Sequence, residues 1–398
     1  MDKFPKNLQH KLDERKVANA LRQLNKPSGL VDFSSNDYLG LAKSKDLFEQ
    51  THNYLIHHNI AQNGATGSRL LSGNHPLYSV LEAAFCEFHK SEAALVFNSG
   101  YDANVGLFSS VPQRGDIILY DEYIHASIRD GIKLSNAQAY KFKHNDLDDL
   151  GRHLKRRREV LKDHTIYVAT ESVFSMDGDT PNLIKLVELC KAYGAFVIVD
   201  EAHAVGVFGA NGCGIVQELG LEQDVFARLI TFGKALGCHG AVILGSEDLK
   251  QYLVNFSRSF IYTTALPPHS LATIQMAYNM LVNLGKKGGA QVQKLHQNIA
   301  FFKAEINRLQ FNLFPLGRVP QGQLGFIESH SAIHCCVVSG NDTVKLIAAK
   351  LQEHGFDVKP ILSPTVPKGE ERLRFCLHAF NSEQEISEVL KVLATFVA

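Results

Sequence analysis

Short apolar runs alternate with helical patterns over residues 76–244, and this alternation limits the possible folds more than any other feature of the sequence. Helices are predicted near 76–89, from 101, from 126, at 183–193 and near 215. The strand-like runs between and after them are 94–97, 116–120, 165–169, 195–199, 229–232 and 241–244. Buried apolar strands that alternate with helices are typical of a mostly parallel sheet covered on both faces. We therefore predict an α/β fold with its ligand site at the carboxyl ends of the strands.

The rest of the chain predicts two flanking parts. Their elements are a helix at 8–24, a short strand at 31–33, a long helical region at 268–309, strands at 332–338 and 372–377, and a helix at 343–354. Ser382 and Glu385 form a capping box that starts the last helix. The predicted organisation is an N-terminal helix and arm at 1–45, a large domain at 46–285 and a smaller α+β domain at 286–398.

The overall charge does not favour a nucleic acid or an anionic membrane as a partner. The 398 residues include 41 Lys and Arg and 41 Asp and Glu, so the formal net charge is zero. The seven cysteines form no C-x-x-C pair, which is typical of reduced thiols in a cytosolic protein. Because the N-terminus lacks the apolar core of a signal peptide and no apolar run approaches the length of a membrane span, we expect a cytoplasmic protein.

The run Leu229–Gly237 (LITFGKALG) contains one lysine, Lys234, just beyond a predicted strand. An amine attacks a carbonyl only as its free base, and partial desolvation at a strand end lowers a lysine pKa towards usable values. Gly233 and Gly237 would let a planar group approach the backbone closely. Taken alone, a lysine beside glycine is more often a solvated loop residue.

Other predicted strands also end in polar residues. Asn98-Ser99-Gly100-Tyr101 follows one strand where a helix begins, and a helix N-terminus binds anions such as phosphate. His125 follows another strand and could stack on a ring or donate to a carbonyl, or simply cap the next helix. Asp200 follows four apolar residues, where a buried carboxylate needs a positive partner such as a pyridinium nitrogen. The alternative for Asp200 is a helix cap. Together with Lys234, the polar residues at these strand ends could bind a heteroaromatic aldehyde that carries a phosphate.

The sequence gives little support for a metal site, a nucleotide-binding P-loop or a serine-hydrolase site. Asp200 with His203, and His330 with His334, could be metal ligands, but the sequence has no H-E-x-x-H motif and no cysteine cluster. The glycine-rich stretch 64–73 lacks the G-K-[ST] ending of a P-loop. No G-x-S-x-G elbow of a serine hydrolase occurs. We therefore expect no catalytic metal.

Four motifs in order resemble the α-oxoamine synthase family of fold-type I pyridoxal-phosphate enzymes. They are HAS at 125–127, FSMDGD at 174–179, DEAH at 200–203 and TFGK at 231–234. The resemblance runs from about residue 8 to the C-terminus. It implies a large cofactor-binding domain with a mostly parallel sheet, a smaller C-terminal domain, and a homodimer with active sites at the interface.

The resemblance also implies roles for individual residues. Lys234 would form the Schiff base with pyridoxal 5'-phosphate and shuttle the proton, Asp200 would pair with the pyridine nitrogen, and His125 would stack on the ring. The other cofactor-binding residues implied are Gly100, Tyr101, Ser175, His203, Thr231 and, across the dimer interface, Thr263.

Three segments narrow the resemblance to the biotin-pathway member of the family, which condenses L-alanine with pimeloyl-CoA or pimeloyl-acyl carrier protein. The segments are Leu21-Arg22, residues 33–41, and 363–369 with the following RLR at 372–374. Arg22, Asn36, His125, Thr365 and Arg374 would line the substrate site. Where some members carry an arginine two residues before the Pro-Thr pair, this chain has Leu362, which leaves the holding of one substrate carboxylate open. The alternatives are a member that uses glycine or serine, such as 2-amino-3-ketobutyrate CoA ligase or serine palmitoyltransferase, and a non-catalytic binding protein.

Overall fold

The computed structural model describes residues 4–22, 24, 29–160, 164–282, 289–315 and 323–397. These residues form two compact units. The large unit comprises Asn36–Ser175 and Thr180–His296. The small unit comprises Met1–Ser35, Met176–Asp179 and Gln297–Ala398 within the described ranges.

The helices and strands of the described residues follow in chain order. The helices are α1 (Lys6–Val17), α2 (Lys45–His57), α3 (Leu77–His89), α4 (Gly100–Ser110), α5 (Ala126–Leu134), α6 (Leu147–Val160), α7 (Leu183–Ala192), α8 (Ile215–Glu218), α9 (Glu247–Phe256), α10 (Arg258–Ile261), α11 (Pro268–Val282), α12 (Gly289–Arg308), α13 (Asn341–Glu353) and α14 (Glu383–Val397). The strands are β1 (Val31–Asp32), β2 (Ala93–Phe97), β3 (Ile117–Asp121), β4 (Gln138–Phe142), β5 (Ile166–Glu171), β6 (Phe196–Asp200), β7 (Ala227–Thr231), β8 (Ala241–Gly245), β9 (Leu313–Phe314), β10 (Gly325–Ile327), β11 (Ile333–Val337), β12 (Phe356–Asp357), β13 (Lys359–Ile361) and β14 (Arg372–Cys376).

The large unit contains a seven-stranded sheet with the order β2-β8-β7-β6-β5-β3-β4. Its neighbouring strands pair in parallel, except that β8 runs antiparallel to both β2 and β7. The predicted mostly parallel sheet is confirmed, and the six predicted strands lie within two residues of their observed bounds. The edge strand β4 was not predicted, because most of its side chains are only partly buried or exposed and it lacks an apolar run.

Two apolar clusters cover the two faces of this sheet. One contains Leu107 of α4 and Ile128 of α5 with Leu229 of β7. The other contains Leu186 of α7 and Val216 of α8. The sheet is therefore buried on both faces, as its continuous apolar strands predict.

The small unit has a five-stranded sheet of order β13-β14-β11-β10-β9 and a parallel pair formed by β1 and β12. The predicted capping box of α14 is confirmed, since Ser382 N–H donates to Glu385 Oε2 at 2.7 Å and Glu385 N–H donates to Ser382 Oγ at 3.2 Å. The division differs from the predicted boundaries at 45 and 285. Because β1 pairs with β12, the N-terminal segment through Ser35 belongs to the small unit.

Two helical predictions differ in extent from the structure. The N-terminal helix ends at Val17 and buries none of its side chains, so Leu8, Leu12 and Val17 of the predicted apolar stripe stay exposed. The predicted helical region at 268–309 consists of α11 and α12, and residues 283–288 lie outside the described ranges. Pro27, which was expected to end the N-terminal helix, also lies outside the described ranges. No helix in the part of the chain that the structure describes is long and apolar enough to cross a bilayer.

Candidate active site

A cavity of about 150 Å³ lies at the carboxyl ends of the central strands of the large unit. Glu171, Asp200 and Thr231, the last residues of β5, β6 and β7, contribute to its wall. The other residues that line the cavity are Gly100, Tyr101, Asn104, His125, Ser127, Ala202, Leu229 and Lys234. The structure thus brings together six predicted residues from four separate strand ends: Gly100, Tyr101, His125, Asp200, Thr231 and Lys234.

Asp200 is a buried carboxylate whose two oxygens both accept hydrogen bonds. Oδ1 accepts from the backbone N–H of Ala202 at 2.9 Å, and Oδ2 accepts from Nδ2 of Asn104 at 2.8 Å. The residue is only 6% exposed. Since the chain continues from β6 into turns through residue 209, the alternative of a helix-capping aspartate is wrong. A desolvated carboxylate oriented by two neutral donors suits a cationic partner in the cavity.

His125 caps a helix and also lines the cavity. Its Nδ1 accepts a hydrogen bond from the Ser127 N–H at 3.2 Å and lies 2.7 Å from Ser127 Oγ, so it caps α5. The same residue lines the cavity and is exposed within it. The protein atoms packed around the ring desolvate it and lower the pKa of His125. A ring with this environment can stack on a heteroaromatic ligand in its neutral form.

Lys234 lies three residues beyond β7 and lines the cavity. Its carbonyl oxygen accepts a hydrogen bond from the Gly237 N–H at 2.8 Å, which closes a turn. Gly237 has a φ of 61°, and a Cβ there would lie 2.1 Å from the backbone nitrogen of Ala42. Gly237 therefore permits the close contact of two backbone segments, a role that the sequence did not predict. The turn fixes the backbone from which the lysine side chain extends.

The start of α4 forms the wall that suits an anion. Ser99 Oγ caps the helix by accepting from the Asp102 N–H at 3.1 Å. A Cβ on Gly100 would lie 3.4 Å from Thr231 Oγ1, so the helix start packs tightly on the end of β7. Tyr101 donates its hydroxyl proton to Asp130 at 2.8 Å. The 11-residue helix presents backbone N–H groups and the positive end of its dipole at this point.

Four predicted site residues of the large unit are not among the described residues that line the cavity. They are Asn36, Ser175, His203 and Thr263. His203 Nδ1 lies 2.7 Å from the hydroxyl of Tyr38, which also lies 3.2 Å from Asn36 Oδ1. Thr263 Oγ1 accepts from Asn98 Nδ2 of the same chain at 3.0 Å. Tyr38 thus joins two predicted functional residues that are far apart in sequence.

The remaining predicted residues, Arg22, Thr365 and Arg374, belong to the small unit. Arg22 and Thr365 are exposed, whereas Arg374 is a buried residue of β14. Arg372, two residues before Arg374 on the same strand, forms an ion pair with Asp177. Asp177 therefore holds Arg372 within the small unit.

Sequence reasoning missed Asn104, Ser127 and Glu171. Asn104 follows Gly100 by four residues on α4, a spacing that places both on one helix face. Glu171 ends β5 as Asp200 ends β6, and the two residues are register partners. Glu171 Oε1 accepts from the His125 N–H at 2.5 Å. Burial, and secondarily the Asp200 charge, raise the pKa of Glu171 well above its ordinary value.

The groups around the cavity fit pyridoxal phosphate. Lys234 offers an amine for an aldehyde, buried Asp200 offers a partner for a protonated pyridine nitrogen, and the start of α4 offers an anion site. The sheet topology and this set of groups define a fold-type I pyridoxal-phosphate enzyme.

Comparison with known proteins agrees with this class. Residues 28–393 match the aminotransferase class I and II family. The chain belongs to this family and, within it, to the pyridoxal-phosphate-dependent, acyl-transferring α-oxoamine synthases.

Three relatives show the range of the similarity. The chain is 42% identical over 390 residues to 8-amino-7-oxononanoate synthase of Emericella nidulans, covering 93% of this chain and 90% of that protein. The 8-amino-7-oxononanoate synthase structure from Francisella tularensis has a TM-score of 0.73 and 28% identity, with 92% of this chain and 97% of that chain covered. Serine palmitoyltransferase from S. paucimobilis, solved with pyridoxal phosphate bound, has a TM-score of 0.84 and 26% identity, with 98% and 96% covered.

Proposed function

We propose that this enzyme condenses L-alanine with a pimeloyl thioester to give 8-amino-7-oxononanoate, carbon dioxide and a free thiol, in biotin biosynthesis. The observation that carries the proposal is the cavity that brings Lys234, His125 and Asp200 together at one sheet edge. The choice of substrates is supported by the 42% identical relative of that name. Coenzyme A or acyl carrier protein would carry the pimeloyl group.

The groups of the cavity divide the chemistry between them. Bound pyridoxal phosphate supplies an aldehyde for covalent attachment and a ring that accepts negative charge from the substrate carbon. Lys234 would bond to the aldehyde and, once alanine displaces it, remove the α-proton as general base. Asp200 would hold a proton on the pyridine nitrogen, because its buried carboxylate is kept in place by Asn104 and Ala202.

Two further groups would orient the reactants. His125, fixed by its bonds to Ser127 and Glu171, would hold the plane of the cofactor ring. Arg374 would hold the amino-acid carboxylate through a bidentate fork, which orients the α-C–H bond. These are positioning effects, and they keep the bond that breaks close to the proton acceptor.

A matrix of substrates tests the proposal. The purified holoenzyme is supplied with alanine, glycine or serine, each with pimeloyl-CoA or palmitoyl-CoA, and the products are identified by mass. We expect product from alanine and pimeloyl-CoA, and none from the Lys234→Ala variant under the same conditions. Product formed only from serine and palmitoyl-CoA would overturn the proposal. Repeating the alanine reaction with pimeloyl-acyl carrier protein identifies the preferred carrier.

A serine palmitoyltransferase-type activity is the second candidate, and one observation favours it. The serine palmitoyltransferase structure covers 98% of this chain with a TM-score of 0.84, against 92% and 0.73 for the Francisella 8-amino-7-oxononanoate synthase. Backbone similarity reports the fold, whereas substrate choice depends on side chains in the site. The higher sequence identity to the Emericella enzyme is the reason that we place alanine and pimeloyl thioester first.

We also propose that the enzyme is a homodimer in which Thr263 of one subunit reaches the cofactor phosphate of the other. Tyr262, beside Thr263, is 72% exposed and would be covered by a partner. Mixing and refolding the inactive variants Lys234→Ala and Thr263→Ala tests this arrangement. Heterodimers with one intact site should regain activity, whereas a mixture as inactive as its components would contradict the shared site.

A further inference from the structure

A second buried carboxylate, Glu201, lies directly after Asp200 and has no part in the mechanism above. Glu201 is fully buried, and Arg228 of β7 is 2% exposed. Glu201 Oε2 lies 3.9 Å from Arg228 Nη1, and Arg228 Nη2 donates to the carbonyl oxygen of His89. A buried ion pair is expensive to desolvate, so its place behind the cofactor site calls for a physical reason.

The chain is built closely around the Glu201 carboxylate. Its Oε1 accepts from the Val216 N–H of α8 at 3.0 Å. Gly214, with a φ of 99°, passes so near that a Cβ there would lie 2.8 and 2.9 Å from the two carboxylate oxygens. The backbone of Glu201 is fixed as well, since its N–H donates to Leu229 O at 2.8 Å and its carbonyl accepts from the Ala204 N–H at 2.9 Å. Side chain and backbone together leave Glu201 little freedom to move.

This fixed residue is covalently joined to the groups that serve the cavity. The next residue, Ala202, lines the cavity and donates its N–H to Asp200 Oδ1 at 2.9 Å. Successive side chains point to opposite faces at a strand end, so Asp200 contacts α4 while Glu201 contacts α8. A displacement of the Glu201 backbone would therefore also move Asp200, since one peptide unit joins the two residues.

The charges of Glu201 and Asp200 also interact. Burial, followed by the charge of Asp200, raises the pKa of Glu201 to about 7, and the guanidinium of Arg228 opposes this shift. The other ionisable groups that face the pair are His89, Cys213, Glu222 and Tyr278. Neutralising Glu201 alone would leave the Arg228 charge buried without its carboxylate partner, close to Asp200.

We propose that Glu201 is a positioning residue for the cofactor: paired with Arg228, it fixes the turn that orients Asp200 and balances the positive charge behind it. The inference rests on the proposed role of Asp200 at the pyridine nitrogen. It assigns to the second residue of the DEAH segment a task on the face of the sheet opposite the cavity. Arg228 acts with it as the charge partner.

The test compares charge variants of the holoenzyme. Glu201→Gln should lower kcat about 100-fold, as expected for a small misplacement of a reacting group, and should shift the pH titration of the bound cofactor's visible absorbance to lower pH. The shift follows because the unbalanced Arg228 charge disfavours protonation nearby. The double variant Glu201→Gln/Arg228→Met, which is neutral at both positions, should restore the titration. Glu218→Gln, an exposed change on α8, is the matched control and should leave it unchanged.

The outcomes separate the possible causes. If Glu201→Gln melts at a lower temperature but keeps the wild-type absorbance titration and kcat, the pair is only structural and the proposal fails. If Glu201→Gln does not fold, Glu201→Asp carries the test, since it keeps the charge but shortens the reach to Val216; an unchanged kcat there also overturns the proposal. Asp200→Asn is measured in parallel. If it too leaves the absorbance titration unchanged, the error lies in the role assigned to Asp200.

Discussion

The end of β6 carries two neighbouring carboxylates, and each faces a different layer of the large unit. Asp200 faces the cavity, where its oxygens accept from the neutral donors of Asn104 and Ala202. Glu201 faces α8, where it accepts from the Val216 N–H and lies opposite Arg228. Both carboxylates are buried, so burial alone does not distinguish them. The difference is that Glu201 has an internal cation and Asp200 opens on a cavity that can receive one.

Removing the amine from the cavity should have the largest effect. Lys234→Ala deletes the group that bonds the cofactor and moves the proton, so we expect the visible absorbance of the attached cofactor to disappear and kcat to fall by at least about 10²–10⁴-fold. Absorbance spectra and steady-state assays measure both quantities. Lys155→Ala, an exposed lysine of α6, is the control. A Lys234→Ala enzyme that kept both properties would remove the basis of the assignment.

Neutralising the carboxylate on the cavity side should have the next largest effect. Asp200→Asn keeps the shape and the contact with Asn104 but removes the charge that holds a proton on the ring nitrogen. We expect kcat to fall about 10²–10³-fold while the cofactor stays bound. Stopped-flow absorbance after alanine addition measures the step directly. If Asp200→Asn reacts as fast as the wild type, Asp200 does not hold the proton on the ring nitrogen, and the functional difference from Glu201 is wrong.

The two buried arginines of β14, Arg372 and Arg374, have different proposed roles. Arg372 is paired internally with Asp177, so Arg372→Met leaves a buried carboxylate without its ion-pair partner and should cost about 3–5 kcal/mol of unfolding free energy. Arg374→Met should raise KM for alanine about 10–100-fold, because Arg374 is proposed to hold the substrate carboxylate. Denaturation curves and alanine titrations of both variants measure these effects. If the two variants behave alike, the contrast between them fails.

The smallest predicted effect is a change in how stability depends on pH. The folded-state pKa of Glu171 is raised, so above its ordinary value of 4.5 the folded protein binds a proton that the unfolded chain releases. Stability therefore falls as pH rises from about 4.5 towards the folded-state pKa. Glu171→Gln is neutral and can still accept from the His125 N–H, so the thermal stability of the holoenzyme variant should gain on the wild type as pH increases. Parallel pH dependences would show that Glu171 does not titrate this way.

Much of the candidate site was predictable because its residues lie at the ends of apolar strands or within four residues beyond them. Asp200, His125 and Lys234 were found in this way, and the structure brings all three to one cavity. Glu171 carries the same local signal as Asp200, and only its register opposite Asp200 shows that it belongs to the site. The edge strand β4 was missed because its side chains are largely in contact with solvent, which removes the apolar pattern. Helix bounds were least predictable where no face is buried, as in α1.

The sequence by itself determined the alternation of strands and helices, the mostly parallel sheet and the polar residues at the strand ends. Only the tertiary structure decided which of these residues meet and what each one faces. Asp200 and Glu201 are adjacent and chemically alike, and Arg372 and Arg374 are nearly so. Asp200 and Glu201 differ in partners that are brought near by pairing and packing between distant segments: Asn104 for Asp200 and Arg228 for Glu201. Those long-range contacts set the charge and burial of each side chain, and local sequence does not record them.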